Sequence, residues 1–95
     1  MSELLSDEQV ASALAGLDGW SREGDEIVRT TERASFPAAV EDVRRVAEVA
    51  EARDHHPDID IRWRTLTFRL STHSAGGLTA KDTELAAEIN RLLAP

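Results

Sequence analysis

The sequence predicts an α+β fold: a two-layer sandwich of order α-ββ-α-ββ-α, with helices on one face of a four-stranded antiparallel sheet. Apolar residues recur at helical spacing in three segments, which predicts three amphipathic helices. Between them lie two pairs of shorter runs in which apolar and polar residues alternate, as in strands with one buried face. The 95 residues suffice for a single core, so we expect one domain that spans residues 1–95.

Local signals mark the first helix and the first hairpin. Ser6 and Gln9 form a capping-box pattern that begins a helix, and a glycine-containing segment at residues 16–19 ends it. Two short runs then flank a turn at Gly24, which predicts a β-hairpin. The predicted strands of this hairpin are residues 20–22 and 26–35.

The second helix is predicted to begin at Pro37, because proline suits a first helical turn. It is predicted to end at residues 54–56, because Pro57 disfavours helical geometry in the residue before it. Apolar residues at spacings of three and four predict the buried stripe of this helix. These residues are Val40, Val43, Ala47 and Ala50, with Val46 beside them.

Two alternating runs, residues 58–64 and 65–71, predict a second hairpin with its tight connection at Arg64-Thr65. Their apolar faces comprise Ile59, Ile61 and Trp63 in one strand and Leu66, Phe68 and Leu70 in the other. Trp63 is therefore expected in the core. Thr79 is predicted to cap the last helix, whose buried stripe is formed by Leu85, Ile89 and Leu92.

The composition narrows the functional classes. With 18 acidic and 11 basic residues, the net charge of −7 opposes binding to nucleic acid or to an anionic membrane surface. The absence of cysteine excludes disulfides and thiolate chemistry. The chain shows neither a signal-peptide pattern nor an apolar run of membrane-spanning length, so we expect a cytoplasmic protein.

All three histidines fall in one short window. His55 and His56 stand at the predicted end of the second helix, shortly after Glu51, and His73 follows the last predicted strand. Histidine is the side chain whose unperturbed pKa lies closest to neutrality, so such a cluster is typical of proton transfer. Asp82 closes the window. The pattern predicts a proton-transfer site that needs no cofactor.

Each candidate residue has a structural alternative. The pair His55-His56 could interact with the last carbonyls of the helix and with its dipole. Asp82 stands three residues after the predicted cap of the last helix and could complete a capping pattern there. Glu51 could be a solvated helix acid. Trp20 could belong either to the core or to a pocket wall.

Two other kinds of site fit less well. Three histidines and a carboxylate are zinc-like in type, but no His-x3-His or Glu-x2-His pair is present, so we predict no metal site. A Ser-His-Asp hydrolase is disfavoured because no nucleophile elbow accompanies Ser71 or Ser74. The Gly76-Gly77 pair lacks the pattern of a phosphate-binding loop and predicts a tight turn.

The residues of this window resemble the signature of the pterin-4a-carbinolamine dehydratases, also called 4a-hydroxytetrahydrobiopterin dehydratases. The resemblance is carried by Glu51-x3-His55-His56-Pro57, Trp63, the segment from Ser71 to Thr79, and Asp82. It extends to Leu14, to Leu17-Asp18-Gly19-Trp20, to Phe36 and to the closing helix, and so covers nearly the whole chain. Members of this family have the same α-ββ-α-ββ-α fold.

The resemblance implies an enzyme that removes water from a 4a-hydroxytetrahydropterin, giving the quinonoid dihydropterin, without metal or organic cofactor. His55 and His73 would be the principal acid and base, and His56 would orient the pterin. Expulsion of the 4a-hydroxyl needs an acid, and loss of the N5 proton needs a base. The remaining implied site residues are Asp82, which would fix the tautomer or charge of a histidine, and Glu51, Trp20, Thr72 and Ser74, which would bind the substrate.

The resemblance also bears on partners. The family forms dimers and tetramers, and its animal members double as dimerisation cofactors of a homeodomain transcription factor. A homodimer or homotetramer is therefore expected, and a non-catalytic protein-binding module on the same fold is the alternative function. The chain departs from the family pattern at Ile59, where many members have an aromatic, and at Trp63, where tyrosine is frequent.

Overall fold

The structure is a computed structural model that describes residues 3–95; the first two residues of the predicted domain lie outside this range. Its elements are α1 (Asp7–Ala15), β1 (Trp20–Glu23), β2 (Glu26–Glu32), α2 (Phe36–Arg53), β3 (Asp58–Arg62), β4 (Thr65–Leu70), a short 3₁₀ turn (His73–Ala75) and α3 (Ala80–Leu93). The strands form one antiparallel sheet of order β1-β2-β4-β3. The predicted fold and element order are confirmed. No helix within the described range is long and apolar enough to cross a membrane.

The helices begin at residues whose side chains accept backbone hydrogen bonds. Ser6 caps α1, and its hydroxyl and the Gln9 side chain form the predicted capping box. Ser35 caps α2 and is followed by Pro37 in the first turn, as the sequence predicts. Thr79 caps α3. The positions of these helices are therefore dictated largely by local sequence.

The core lies between the helices and one face of the sheet. The largest completely buried apolar side chains are Phe68, Ile27, Leu66, Leu70, Leu85 and Ile89. Three of these alternate along β4, so the predicted buried face of that strand is confirmed. The opposite face of the sheet is polar except for Val28, and it includes a cross-strand pair of hydroxyls, Thr30 and Thr67, whose oxygens lie 3.0 Å apart.

The helix α2 buries a face different from the predicted one. Its buried residues are Ala39, Asp42, Val46 and Ala50. Val40 is 45% exposed and Ala47 also faces solvent, so the predicted stripe is wrong at these two positions. Spacing alone could not choose, because two apolar stripes run along this helix. The buried stripe includes Asp42, whose carboxylate is paired with Arg33 at 2.7 Å and Arg45 at 2.8 Å.

The expectation that Trp63 lies in the core is also wrong. Arg62 pairs with Thr65, so Trp63 and Arg64 form the turn of the hairpin, one residue earlier than predicted. Trp63 is 72% exposed, and its φ of 53° lies in the left-handed region. The Arg64 guanidinium lies 4.8 Å from the centre of its ring. Strand alternation does not extend into a turn, and this is why the pattern misplaced the side chain.

Candidate active site

The end of α2 separates the environments of His55 and His56. Asp54 closes the helix in a left-handed conformation with φ of 50°, and the His55 amide donates to the Ala50 carbonyl at 3.1 Å. Beyond this turn the His55 side chain is 11% exposed, whereas the His56 side chain is 55% exposed. The two neighbouring histidines therefore differ in burial, and we expect them to differ in chemistry.

Asp82 is the centre of the site. Its side chain is 0% exposed, and its Oδ1 lies 2.6 Å from Nε2 of His55. Its Oδ2 accepts from the Thr72 hydroxyl at 2.8 Å and from the Thr79 amide at 2.9 Å. A buried carboxylate needs partners of this kind, because it has lost its contact with water. An ionised carboxylate only accepts hydrogen bonds, so with Asp82 ionised Nε2 of His55 is the donor in this pair.

Asp82 makes the contacts expected for both of the roles that the sequence left open. Through Oδ2 it completes the capping box of α3, since the Thr79 amide donates to that oxygen. Through Oδ1 it contacts His55, which lies just after the C-terminal end of α2. The capping alternative is correct, and it leaves the second oxygen available for the histidine.

Thr72 ties the loop that carries His73 to the same carboxylate. Its hydroxyl donates to Asp82 and lies 2.7 Å from the Thr79 hydroxyl. Thr72 also pairs with Gly77 in an isolated antiparallel bridge, and Gly76 makes the predicted turn with φ of 77°. His73, the next residue after Thr72, begins the short 3₁₀ turn and is exposed. The segments that carry the three histidines therefore meet at Asp82.

Glu51 lies beside His56 rather than beside His55. Its Oε1 is 2.8 Å from Nε2 of His56, and both side chains are exposed. An exposed pair of this kind contributes only about 0–1 kcal/mol to stability. Its effect is to orient the imidazole of His56 at the surface of the site.

The other predicted substrate-binding residues, Thr72, Ser74 and Trp20, differ in burial and in their hydrogen-bond partners. Thr72 is buried, and its hydroxyl acts on Asp82. Ser74 is exposed in the loop after β4. Trp20 is 6% exposed, packs in the core and donates from its indole nitrogen to Asn90 at 2.8 Å. Asn90 follows Asp82 by about 12 Å along α3, so the structure does not bring Trp20 and the histidines together.

A cavity of about 250 Å³ lies beside His55. Its other lining residues, Arg53, Lys81 and Glu84, were not singled out from the sequence. Lys81 did carry a signal: it is the only lysine of the chain and stands in the first turn of α3, where a cation meets the unfavourable end of the helix dipole. A larger cavity, of about 310 Å³, lies elsewhere and is lined by none of the predicted site residues.

The arrangement provides the groups needed for proton transfer. The partly buried His55 is held by the buried Asp82. The exposed His56 follows His55 in sequence, and the exposed His73 lies in the loop after β4. Within residues 3–95, no three acidic or histidine side chains come together in an arrangement that could hold a metal ion.

Comparison with known proteins identifies the family. The sequence profile described as pterin 4 alpha carbinolamine dehydratase matches residues 3–92. The chain belongs to the pterin-4-alpha-carbinolamine dehydratase family. A Nocardia farcinica protein provisionally named pterin-4-alpha-carbinolamine dehydratase is 65% identical over 91 residues, which cover 96% of each chain. A protein of the same provisional name from Roseiflexus castenholzii is 53% identical over 93 residues, which cover 98% of this chain and 100% of that one.

A solved structure supports the same conclusion about the fold. The transcriptional coactivator/pterin dehydratase from Brucella melitensis superposes with a TM-score of 0.93 and 29% sequence identity, covering 97% of this chain and 100% of its own. The predicted family and the predicted class of enzyme, a dehydratase among the lyases, are confirmed by the family match and the curated relatives. For this dehydratase family member, the roles of individual residues stay predictions.

Proposed function

We propose that this dehydratase removes water from 4a-hydroxytetrahydrobiopterin, giving the quinonoid dihydropterin in tetrahydrobiopterin recycling, by general acid–base catalysis on its histidines. The observation that carries the proposal is the 2.6 Å contact between His55 and the buried Asp82, beside a cavity that the same histidine lines. A buried carboxylate that fixes the tautomer of an imidazole is a recurrent arrangement in acid–base catalysis. The family match supplies the substrate class.

In the proposed reaction, the bond between C4a and the hydroxyl oxygen breaks as that oxygen takes a proton. The N5 proton leaves to a base, and its electron pair forms the double bond between N5 and C4a. We assign the base to His55, because Asp82 stabilises the imidazolium that forms when Nδ1 accepts a proton. His73 then serves as the acid. General acid and base groups each contribute about 10²–10⁴-fold to such a rate.

The remaining site residues have supporting roles in this proposal. His56 orients the pterin and is itself oriented by Glu51. Thr72 acts on the reaction through Asp82, whose second oxygen it holds. Ser74 lies on the exposed loop beside His73, where it can reach a bound pterin. A substrate contact for Trp20 rests on the resemblance alone, since its indole is buried near the other end of α3.

The test is the dehydration rate of freshly generated 4a-hydroxytetrahydropterin, followed by absorbance with chelator present and the spontaneous rate subtracted. We expect acceleration by the wild type and losses of about 10²–10⁴-fold in His55→Ala and His73→Ala. Arg22→Gln is the matched control, since Arg22 lies on β1 and pairs with Asp7. No acceleration by folded wild-type protein, or an activity that chelator removes, contradicts the proposal.

We further propose that the protein uses no cofactor, binds no nucleic acid and acts in the cytoplasm. The net charge of −7 opposes contact with phosphate backbones and anionic lipid. The absence of cysteine fits a reducing compartment.

Self-association as a homodimer or homotetramer is also proposed. Two separate apolar surfaces support it. The outer face of α2 exposes Phe36 and Val40, and the hairpin of β3 and β4 exposes Ile61 and Trp63. A tetramer with two kinds of isologous contact needs two such surfaces. The exposed face of α2 equally supports the alternative function, a protein-binding module, which the rate measurement above separates from catalysis.

The charge order along β3 favours its pairing with a second copy of itself. β3 is an edge strand in which Asp58 and Asp60 precede Arg62, and Ile59 and Ile61 lie on the other face. Antiparallel pairing centred on Ile61 places Asp60 of each copy opposite Arg62 of the other. Opposite charges in such cross-strand positions are stabilising.

Charge reversal tests this pairing by light scattering after size-exclusion chromatography. Asp60→Arg and Arg62→Asp each place like charges opposite one another and are expected to shift the protein towards monomer. The double variant restores complementarity and is expected to restore the assembly. A wild-type monomer contradicts self-association, and single variants that assemble like the wild type contradict the β3 pairing alone.

A further inference from the structure

Two buried hydroxyls, those of Thr72 and Thr79, lie behind the carboxylate of Asp82. Their oxygens are 2.7 Å apart. The Thr72 hydroxyl also lies 2.8 Å from Oδ2 of Asp82, and the Thr79 oxygen accepts from the backbone amide of Lys81 at 3.2 Å. Each hydroxyl therefore has two polar neighbours, which a buried hydroxyl needs because it has lost its contact with water.

The number of protons fixes the direction of these hydrogen bonds. A hydroxyl donates one hydrogen bond, and an ionised carboxylate donates none. With Asp82 ionised, the single proton of the Thr72 hydroxyl is used in the contact with Oδ2. The proton between the two hydroxyls then comes from Thr79. The hydrogen bonds therefore run from Thr79 to Thr72 and from Thr72 to Asp82, whose other oxygen contacts His55.

Helix capping accounts for only part of this arrangement. As the N-cap of α3, Thr79 needs only its oxygen, which accepts from a backbone amide. The exposed Ser35 caps α2 in the same way, since its oxygen accepts from the Ala38 amide at 3.1 Å. The hydroxyl proton of Thr79 is not required for a cap, and it is this proton that is donated to Thr72.

The hydrogen bonds of Thr79 reach both of the segments proposed for catalysis. Its amide donates to Oδ2 of Asp82 at 2.9 Å, and its hydroxyl acts on the same oxygen through Thr72. With Oδ2 occupied in this way, Oδ1 is left to His55. Thr72 also directly precedes His73, so the bond between the two hydroxyls ties the loop of the proposed acid to the start of α3.

We propose that Thr79 is a positioning residue of the dehydration reaction, acting through the hydroxyl of Thr72 on the carboxylate that holds His55. A hydroxyl that accepts a hydrogen bond becomes a stronger donor, so Thr79 strengthens the bond from Thr72 to Asp82. A fully satisfied buried network of this kind also favours a single arrangement of its members. The inference rests on the proposed acid–base mechanism and adds to it a residue that acts through its neighbours.

The test is a double-mutant cycle of Thr72→Val and Thr79→Val, which each remove one hydroxyl and preserve the shape of the side chain. Stopped-flow absorbance on the fresh carbinolamine measures kcat and KM of the folded variants. We expect Thr79→Val to lower kcat about 3- to 10-fold with KM unchanged, the range that one neutral hydrogen bond supplies. Because Thr79 acts through Thr72, the double variant should have a kcat within about twofold of that of Thr72→Val.

Two control variants separate positioning from helix capping. Thr79→Ser keeps the hydroxyl and should retain kcat. Ser35→Ala removes a cap at the start of α2, about 27 Å along that helix from its His55 end, and should lower the melting temperature with kcat unchanged. A Thr79→Val variant that behaves like Ser35→Ala, or whose loss of kcat multiplies with that of Thr72→Val, overturns the inference. If Thr79→Val does not fold, Thr79→Gly replaces it, because glycine is tolerated at an N-cap.

A spectroscopic readout distinguishes failure of this inference from failure of the proposed reaction. In ¹H–¹⁵N spectra, the Nε2 proton of His55 should be observed in the wild type and in Thr79→Ser, and should be broadened by exchange with water in Thr79→Val. If the wild type does not dehydrate the carbinolamine while this signal responds as expected, the reaction fails and the hold of Thr79 on His55 stands. If His55→Ala abolishes turnover while Thr79→Val changes neither kcat nor the signal, the reaction stands and Thr79 is a cap alone.

Discussion

Two polar residues of α3, Asp82 and Asn90, each tie the helix to distant parts of the chain. Asp82 holds His55 after α2 and Thr72 after β4. Asn90 accepts from the Trp20 indole at 2.8 Å and from Arg29 at 2.6 Å, and donates to the backbone carbonyl of Asp18 at 3.1 Å. The two clusters are alike in connectivity and lie about two turns apart on the same helix.

The clusters differ in what their partners can do. The Asn90 amide is neutral, and the Trp20 indole does not titrate. Burial, aided by the charge of Arg33, lowers the pKa of Arg29, but its guanidinium stays charged at neutral pH. Asp82 is a carboxylic acid, and its partner His55 has the side-chain type that most often transfers protons in enzymes. The same kind of crosslink holds the fold together at one end of α3 and, in the proposed mechanism, prepares proton transfer at the other.

Removal of the carboxylate charge of Asp82 should have the largest effect on the catalytic rate. In Asp82→Asn the amide can present its NH₂ group to His55 and favour the wrong tautomer, so we expect kcat to fall by about 10²–10⁴-fold. Stopped-flow absorbance on the fresh carbinolamine measures this. A kcat within threefold of the wild type would show that Asp82 is a helix cap and nothing more.

The matched change at the other cluster should affect stability and spare catalysis. Asn90→Ala leaves the buried indole N–H of Trp20 without its acceptor, which costs about 1–3 kcal/mol of unfolding free energy. Urea denaturation measures this loss, and kcat/KM should stay within twofold of the wild type under conditions where the variant is folded. A large loss of activity in folded Asn90→Ala would mean that the two clusters are coupled, and the contrast would break.

Thr72→Val sharpens the comparison inside the Asp82 cluster. It removes a hydroxyl that donates to Asp82 and contacts Thr79, and it preserves the shape of the side chain. We expect a loss of about 1–3 kcal/mol in stability from the unsatisfied buried groups, and a fall in kcat smaller than that of Asp82→Asn. If Thr72→Val instead raises KM with kcat unchanged, Thr72 contacts the pterin, and its assignment as a support for Asp82 is wrong.

The smallest effect is expected at the exposed edge of the site. Glu51→Gln weakens a surface contact with His56, so stability should change by about 0–1 kcal/mol. The expected kinetic effect is a modest rise in KM, because His56 loses its preferred orientation. A fall in kcat as large as that of Asp82→Asn would place Glu51, and not Asp82, in control of the reacting histidine.

The parts of the fold that sequence predicted are those set by neighbours in the chain. Ser6 with Gln9, Thr79 with Asp82, and the alternation of β4 are local patterns, and each appears in the structure. The face of α2 could not be predicted, because two apolar stripes satisfy the same spacing. Trp63 was misplaced because a shift of one residue in the turn moved it out of the strand.

The candidate site shows the same limit. The cluster of histidines was visible in the sequence, but the contact between His55 and Asp82 joins residues 27 positions apart and depends on the packing of two helices. Trp20 was assigned to the pocket by resemblance, whereas the core and Asn90 hold it. Nothing in the sequence marks Asn90 as a crosslink, since a single asparagine late in a helix carries no pattern.

The most direct test of the account is the protonation of His55. Long-range ¹H–¹⁵N correlation spectra resolve the ring nitrogens of the three histidines in uniformly labelled protein. With Asp82 accepting from Nε2, neutral His55 is expected as the Nε2–H tautomer, and Asp82→Asn should shift that equilibrium. A neutral His55 protonated on Nδ1, with a spectrum unchanged by Asp82→Asn, would contradict the claim that this carboxylate controls the reacting proton.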